Sequence, residues 1–384
     1  MTAPASSAAS LAQADAAVMH KVLAESILSD QLIASPTGIN PANTPNFSVE
    51  MSNIGLTLGF IVEVTATVTA GANALTATEF GPVNILDTVT FTDYDGTTRL
   101  SVAARKLWLL NALRHGAYLG ASPDFYDAAG NQIPESGAWP VINYPKNIAA
   151  NAAVTVKFYL YVPLARAPQH GDFRGSIFSQ ISGKTATLQF NFAAAAVALG
   201  ADAMRSAYTG GGAATVTNVA FKVWQQYYDQ LPMVGKQYEM APLSWSSLYQ
   251  ILDGNTVNNP AVGDYSYYDF TTVREYYGTL MIYNNNGVLN QGTDMDTFTF
   301  FRQLVTPTRT WTPNKLTLET RRLLGRNDLP SGCYFFDWSY KPITLSVFGN
   351  SRIGMKPSAV TAGAAFYTAD EFVLAQSALP LVMG

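Results

Sequence analysis

Leu56-Thr57-Leu58-Gly59-Phe60-Ile61-Val62-Glu63-Val64-Thr65-Ala66-Thr67-Val68 is the stretch that decides how this chain folds. Leu56, Leu58, Phe60, Val62, Val64, Ala66 and Val68 share one parity, while Thr57, Glu63, Thr65 and Thr67 share the other. Successive side chains of an extended backbone point to opposite faces, so one face lies on a core and the other meets water or a neighbouring subunit. The pattern recurs at Val154, Val156, Phe158, Leu160 and Val162, at Ala186, Leu188, Phe190 and Phe192, and through Val219, Phe221 and Val223 to Asp229. Such alternation belongs to antiparallel sheets and predicts an all-β protein.

A chain of 384 residues exceeds the size at which one core stops growing, so two modules are expected. Only 13% of residues are charged, against roughly 25% in an ordinary soluble domain, while 48% are hydrophobic. Large areas are then expected to be covered by other copies or by a membrane-proximal layer. The alternative is a monomer with a surface of Thr, Ser, Asn and Tyr. The formal net charge is −4, and the only basic clusters are the doublets Arg105-Lys106 and Arg321-Arg322, so direct nucleic-acid binding is not expected. The N-terminus lacks a signal-peptide pattern, and no run of about 18 apolar residues spans a membrane. A soluble product that stays where it is made is expected. Cys333 is the single cysteine and is read as a small buried hydrophobe.

The segments Thr78-Glu79-Phe80-Gly81-Pro82-Val83-Asn84-Ile85-Leu86 and Val89-Thr90-Phe91-Thr92-Asp93-Tyr94-Asp95-Gly96 resemble the major capsid protein of tectiviruses, tailless icosahedral phages with an internal membrane. The resemblance continues, in order, at Tyr227-Tyr228-Asp229-Gln230-Leu231-Pro232, Gly292-Thr293-Asp294, Glu319-Thr320-Arg321-Arg322, Asp328-Leu329-Pro330-Ser331-Gly332-Cys333-Tyr334 and Lys341-Pro342-Ile343. It implies two eight-stranded jelly rolls in one chain, with short inserted helices and an N-terminal helical arm on the inner side of a shell. It also implies a homotrimer of pseudo-hexagonal outline, contacts with neighbouring trimers and with minor capsid and membrane-associated virion proteins, and assembly in the host cytoplasm into the virion capsid. Lys21 stands alone against Asp15, Glu25 and Asp30, so the arm carries no basic character for a bare genome, and another layer is expected between shell and genome.

Residues 10–34 hold no Gly or Pro and place Val18, Met19, Val22, Leu23 and Ile27 at helical steps, which predicts one amphipathic helix. Pro36, Gly38, Pro41 and Pro45 follow and set it apart as an arm, either docked on its own core or working in assembly. Deleting residues 1–34 is then expected to spare a trimer and impair shells. The organisation expected is an arm over 1–45, a first jelly roll over 46–235, a second over 236–376 and a tail over 377–384. Composition alone places the cut at Gly210-Gly211-Gly212; the resemblance moves it to Gly235.

Within the first module, Val83 to Thr92 reads as a strand and Asp95-Gly96 as a hairpin turn. Ser101 is expected to cap a helix reaching Arg114, and residues 118–150 form a long loop. A short helix is expected over Ala201 to Tyr208. The second module is read as a helix from Ser244 to Leu252, Tyr-rich segments over 265–283, and a turn at Asn286-Gly287. A helix capped by Thr312 follows, with Pro313 first and Gly325 past its end, then strands at Tyr334 to Phe336, Ile343 to Phe348 and Ala364 to Thr368.

No chemistry stands out. His20, His115 and His170 show no zinc-ligand spacing, and counting a calcium loop from Asp93 puts Thr98 sixth and Ala104 twelfth, which fails. Asp93 with Asp95, and Asp294 with Asp296, read better as turn chemistry. The triple glycine is not followed by Lys-Ser or Lys-Thr, so it is no phosphate loop. No cofactor, metal or catalytic residue is expected. The rival reading is a carbohydrate-active or carbohydrate-binding β-sandwich, with Tyr265, Tyr267, Tyr268, Tyr276 and Tyr277 as a stacking platform.

Overall fold

A computed structural model describes residues 8–115, 144–179, 184–210, 212–234, 237–238, 248–270, 274–289, 293–303, 306–324, 329–344 and 350–374. Helix α1 is Ala8–Glu25. The first module's long strands are β1 Ile27–Ala34, β2 Asn46–Glu50, β3 Leu56–Thr69, β4 Leu86–Thr92, β5 Thr98–Ala103, β6 Ala153–Pro163, β7 Thr187–Phe192 and β8 Thr215–Asp229. Helix α2, Ala104–His115, follows β5, and the short helix α3, Ala195–Ala198, follows β7. The second module contains β9 Leu248–Asp253, β10 Ser266–Asp269, β11 Glu275–Asn284, β12 Met295–Arg302, β13 Thr306–Trp311, β14 Cys333–Asp337, β15 Ser351–Pro357 and β16 Ala365–Leu374, with helix α4, Pro313–Leu324, after β13.

The sheet orders are the same in the two modules. In the first, β1-β8-β3-β6 faces β2-β7-β4-β5; in the second, β9-β16-β11-β14 faces β10-β15-β12-β13. Counting strands from the start of each module, both read 1-8-3-6 and 2-7-4-5, and a helix follows the fifth strand in each. This is jelly-roll wiring twice over, the fold class that the alternation and the resemblance predict. The modules are fused through a sheet. β5 of the first runs parallel to β9 of the second, with Leu100 beside Ile251 and Ser101 beside Leu252, so one ten-stranded sheet crosses both.

The deciding stretch is β3, paired with β8 on one side and β6 on the other. Its inward Phe60, Val62, Val64, Ala66 and Val68 are buried with Phe91, Phe158, Leu160, Phe190 and Phe221 in the first core. The second core is built of rings, among them Phe270, Tyr276, Phe298, Trp311, Phe336, Trp338 and Phe372. Hairpin signals hold. Asp93 N–H donates to Thr97 O at 2.9 Å across the turn, where Gly96 has φ +83°. At the second hairpin Asn286 and Gly287 take φ +56° and +85°, as a turn that matches strand twist requires. Thr312 Oγ1 accepts the Lys315 N–H at 3.3 Å, the expected cap of α4.

Five expectations are corrected. The strand read from Val83 begins at Leu86, because Gly81–Ile85 wind into a 3-10 turn with Pro82 near its start. The helix over 10–34 ends at Glu25, and Ile27 belongs to β1, where Ile27 lies opposite Asp229 and Leu32 opposite Trp224; pairing to an open sheet edge replaces further helix. Ser101 caps nothing, because its pairing with Thr90 keeps it in β5 and the helix starts at Ala104. The expected helix at 201–208 is a turn in which Asp202 Oδ1 accepts the Met204 N–H at 2.9 Å, after α3. The expected helix at 244–252 overlaps β9. Leu248 to Ile251 are all buried, and a strand covered on both faces loses the alternation that distinguishes it from a helix. Most of the 118–150 loop, Gly325 and residues 345–348 lie outside the described residues.

Candidate assembly surfaces

A building block works through the faces that join its parts and the faces it leaves open. The joined face is the seam between modules. Every residue of α2 from Ala104 to Leu113 is buried, because the helix lies between its own barrel and the outward face of β9-β16-β11-β14. From that face Tyr249, Ile251, Leu280, Ile282, Phe335, Ala369 and Val373 enter the first core.

Charges are pinned at the seam. Arg114 Nε donates to Glu371 Oε2 at 2.6 Å, Nη1 to Asp337 Oδ1 at 3.1 Å and to Ser339 Oγ at 2.7 Å, and Nη2 to Tyr277 O at 2.8 Å. The Tyr249 hydroxyl donates to the other Glu371 oxygen at 3.0 Å. Burial disfavours the Arg114 cation, yet Glu371 and Asp337 outweigh it and hold its pKa above the ordinary value. Asp337 likewise pays for burial, but Arg114 and Ser339 bring its pKa below the usual carboxylate range. Lys106 reaches Asp253 Oδ1 at 2.9 Å and Thr368 O at 2.8 Å; burial is the larger influence and lowers its pKa. Gly278 makes the approach possible, since a Cβ there would sit 2.9 Å from Arg114 Nη2 and 2.8 Å from the Phe335 ring. Arg166 stacks 3.8 Å over the Tyr277 ring, and Arg174 Nη1 reaches its hydroxyl at 2.8 Å.

The open faces begin at the arm. Val18, Met19 and Val22 are buried against Leu56, Leu58, Ala165, Phe173 and Leu231, so α1 closes one end of the first barrel instead of standing free. Leu23 and Ile27 point away from that cluster and are 46% and 51% exposed, and Leu28 and Leu32 on the free edge of β1 are 52% and 48% exposed. On the outward face of β8, β3 and β6, Glu63 is held by Lys157 Nζ at 2.7 Å, Lys222 Nζ at 3.1 Å and the Tyr159 hydroxyl. Burial raises its pKa, but these three partners lower it further, to a net value below the ordinary one. On α4 only Pro313, Leu316 and Thr320 are buried, and Leu318 is 66% exposed.

The remaining sequence candidates resolve into structure. Asp93 is bonded to Arg99, and Asp95 Oδ1 accepts the Thr97 N–H at 2.9 Å. Asp294 Oδ2 accepts from Asn285 at 3.0 Å, and Asp296 pairs with Lys356 at 3.1 Å. Among the described residues no group of three His, Cys, Asp or Glu is placed to hold a metal, and no helix is long and apolar enough to cross a membrane. Tyr268, Tyr276 and Tyr277 are buried, leaving Tyr265 and Tyr267 packed on Phe301 at 5.4 and 5.7 Å. Arg105 and Lys106 are 7% and 3% exposed, so that doublet offers no basic surface. Cys333 is buried, which pushes its thiol pKa well up. Sequence reasoning missed Arg114, Asp337 and Glu371. Their signal was charge amid apolar neighbours, Arg114 after the largely apolar run Leu107 to Leu113 of its helix, Asp337 between Phe336 and Trp338, and Glu371 beside Asp370 in an otherwise apolar strand end.

The fold is that of double jelly-roll capsid proteins. The chain is similar to the crystal structure of the STIV MCP with TM-score 0.64 and 13% identity, covering 92% of this chain and 100% of that one. The crystal structure of major capsid protein P2 from bacteriophage PM2 gives TM-score 0.51 and 10% identity over 92% and 99%. By sequence, the major capsid protein P3 of Enterobacteria phage PRD1 is 28% identical over 351 residues, 88% of this chain and 86% of that protein. Residues 8–231 match the P3 major capsid protein N-terminal family and residues 246–379 the P3 major capsid protein C-terminal family, and the chain belongs to the P3 major capsid proteins. It is a structural protein of an icosahedral virion shell and not an enzyme, so the carbohydrate reading falls.

Proposed function

We propose that the protein acts as a homotrimer whose six barrels form a pseudo-hexagonal capsomer, tiling with neighbouring trimers into a shell around an internal membrane and genome. The supporting observation is the fused pair of identically wired barrels with apolar edges left open at Leu28 and Leu32. Many modest contacts acting together hold such a shell, since each subunit meets several others. The division is an arm over 1–45, a first barrel over 46–235, a second over 236–376 and a tail over 377–384, with β1 of the first barrel contributed by the arm segment. Minor capsid and membrane-associated virion proteins meet the shell, its inner face lies near the membrane, the genome is not bound directly, and assembly takes place in the host cytoplasm. Within the arm, Val18, Met19 and Val22 fasten the helix while Leu23 and Ile27 supply the assembly contact.

Deleting residues 1–34 removes β1 and uncovers Leu56 and Phe173, so it does not isolate the arm's role. Leu23→Glu does. Light scattering is expected to give about the same trimer as the parent while electron microscopy shows few closed shells; shells at parental yield overturn the arm's role.

A further inference from the structure

Three of the six buried side-chain polar atoms that find no hydrogen-bond partner among the described residues belong to one junction: Arg105 Nε, Trp108 Nε1 and Asn84 Oδ1. The three residues are 7%, 8% and 1% exposed. A buried donor or acceptor left unmade is costly, a charged one most of all, so a group of such atoms points to a ligand that meets them. We propose that they hold a small oxyanion that keeps a proton, of the phosphate class, where α2 meets the turn before β4. This site is separate from the assembly faces and does not depend on the trimeric reading.

Helix geometry places the two donors together. Arg105 and Trp108 stand three apart in α2, so their side chains leave one side of the helix a turn apart. The Gly81–Ile85 turn packs against α2, and Asn84 lies within it. Asn84 Nδ2 donates to Met204 O at 3.0 Å and to Ser206 O at 2.9 Å, which fixes the amide's orientation and turns Oδ1 away from those carbonyls. Asp202 and Arg205 of the same loop, and Asp87 three residues after Asn84, act on Arg105 through their charges, as does Asp253. The loop that grips Asn84 therefore also flanks Arg105.

The guanidinium is poorly served by these surroundings. Burial is the largest influence on Arg105 and lowers its pKa; Asp87, Asp253 and Asp202 oppose this without restoring it. Among the described residues Arg105 makes no ion pair, whereas Arg114 at the other end of α2 is held by Glu371 and Asp337. An anion in contact restores the balance. The N-terminal end of α2 favours negative charge, and its first turn holds no acidic residue.

The three atoms narrow the ligand. Arg105 Nε–H and Trp108 Nε1–H each need an acceptor, and Asn84 Oδ1 needs a donor. Hydrogen phosphate and dihydrogen phosphate offer both, accepting at P–O and donating from P–OH. Sulfate at neutral pH has no proton to give, and water lacks the charge that the buried cation needs. The wiring itself does not call for these residues, since Asn314 and Thr317 take the second and fifth places in α4, and Asn314 is exposed. The junction also reaches the second barrel, because Ala203 N–H donates to Gly287 O at 3.0 Å from the same loop. A ligand bound there holds α2, the loop and that hairpin at once, and stabilises the folded chain by mass action.

Isothermal titration calorimetry of the full chain with inorganic phosphate provides the test. One saturable site per chain is expected, with none for sulfate at equal ionic strength, and the melting temperature is expected to rise with phosphate and level off. Trp108→Phe keeps a ring and removes one donor, and is expected to weaken phosphate binding about tenfold; Arg105→Met is expected to abolish it. A parent without saturable phosphate binding means that water alone serves the three atoms, which overturns the proposal. Sulfate bound as tightly as phosphate overturns the part played by Asn84 and with it the phosphate class, and Trp108→Phe binding like the parent overturns the site. Should Arg105→Met fail to fold, the phosphate and sulfate titrations of the parent and of Trp108→Phe still decide.

Discussion

Helices α2 and α4 occupy the same place in two identically wired barrels, yet one is buried all round and the other on one face only. The cause is not local. α2 reads Ala-Arg-Lys-Leu-Trp-Leu-Leu-Asn-Ala-Leu-Arg-His, with apolar residues on every side, as a helix between two surfaces must. α4 reads Pro-Asn-Lys-Leu-Thr-Leu-Glu-Thr-Arg-Arg-Leu-Leu, with polar residues on the side that meets no other part of its own chain. Their cores differ too. The first barrel mixes aliphatics from long strands such as β3 and β8 with rings such as Phe91, Phe158 and Phe190. The second has shorter strands and relies on rings, with Phe298 4.6 Å from Tyr334 and Trp311 5.4 Å from Phe336. Equal wiring thus leaves packing free to follow what each barrel touches.

The comparison breaks hardest at Arg114. Arg114→Ala leaves Glu371 buried without its cation and Asp337 with only the exposed Arg322, and about 3–5 kcal/mol of stability is expected to go, read from denaturant midpoints. Arg322→Ala, whose guanidinium is exposed and 3.4 Å from Asp337, is expected to change those midpoints little. At the matched sixth positions, Leu109→Ala is expected to cost about 2–5 kcal/mol and Leu318→Ala under about 0.5 kcal/mol in the monomer. Equal effects at 109 and 318 would mean that the two helices are equally engaged within one chain.

Asp370 sharpens the contrast inside the second barrel. Burial pushes its carboxyl up to about 6 even though Tyr268 and Thr279 donate to it. A carboxyl that holds its proton more tightly when folded stabilises the fold fully below about pH 4, and that contribution is lost as pH rises through about 6. The difference from Asp370→Asn is therefore expected to change by about 3 kcal/mol between pH 4 and 8, against the parent at higher pH. A flat difference in unfolding free energy across that range refutes it. The smallest effect concerns a cap: Thr312→Ala, removing the bond to the Lys315 N–H, is expected to cost about 1 kcal/mol by thermal melting.

Alternation alone located β3, β6, β7 and β8, because the face turned to the core carries an unbroken apolar row while the other carries polar residues at intervals, which writes a period of two into the residues even along β3, most of which is buried on both faces. Turn chemistry located Asp95-Gly96 and Asn286-Gly287, and a cap and proline located α4, since these depend on a few neighbouring residues. Reading failed at β9, at β1 and at the start of α2. β9 is covered on both faces, β1 pairs with a strand almost two hundred residues away, and α2 begins where β5 stops pairing with β4. Val18, Met19 and Val22 were legible as one helix face, but their partners Leu56 and Phe173 were not.

What the residues determined by themselves was the strand character, the turns and a surface poor in charge, all set by local backbone preference and side-chain chemistry. The tertiary structure alone decided that β5 meets β9, that Arg114 finds Glu371, and that β1 and β13 end their sheets with one edge open among the described residues. Those facts join positions far apart in the chain, and only the closed path of the backbone in space brings them together.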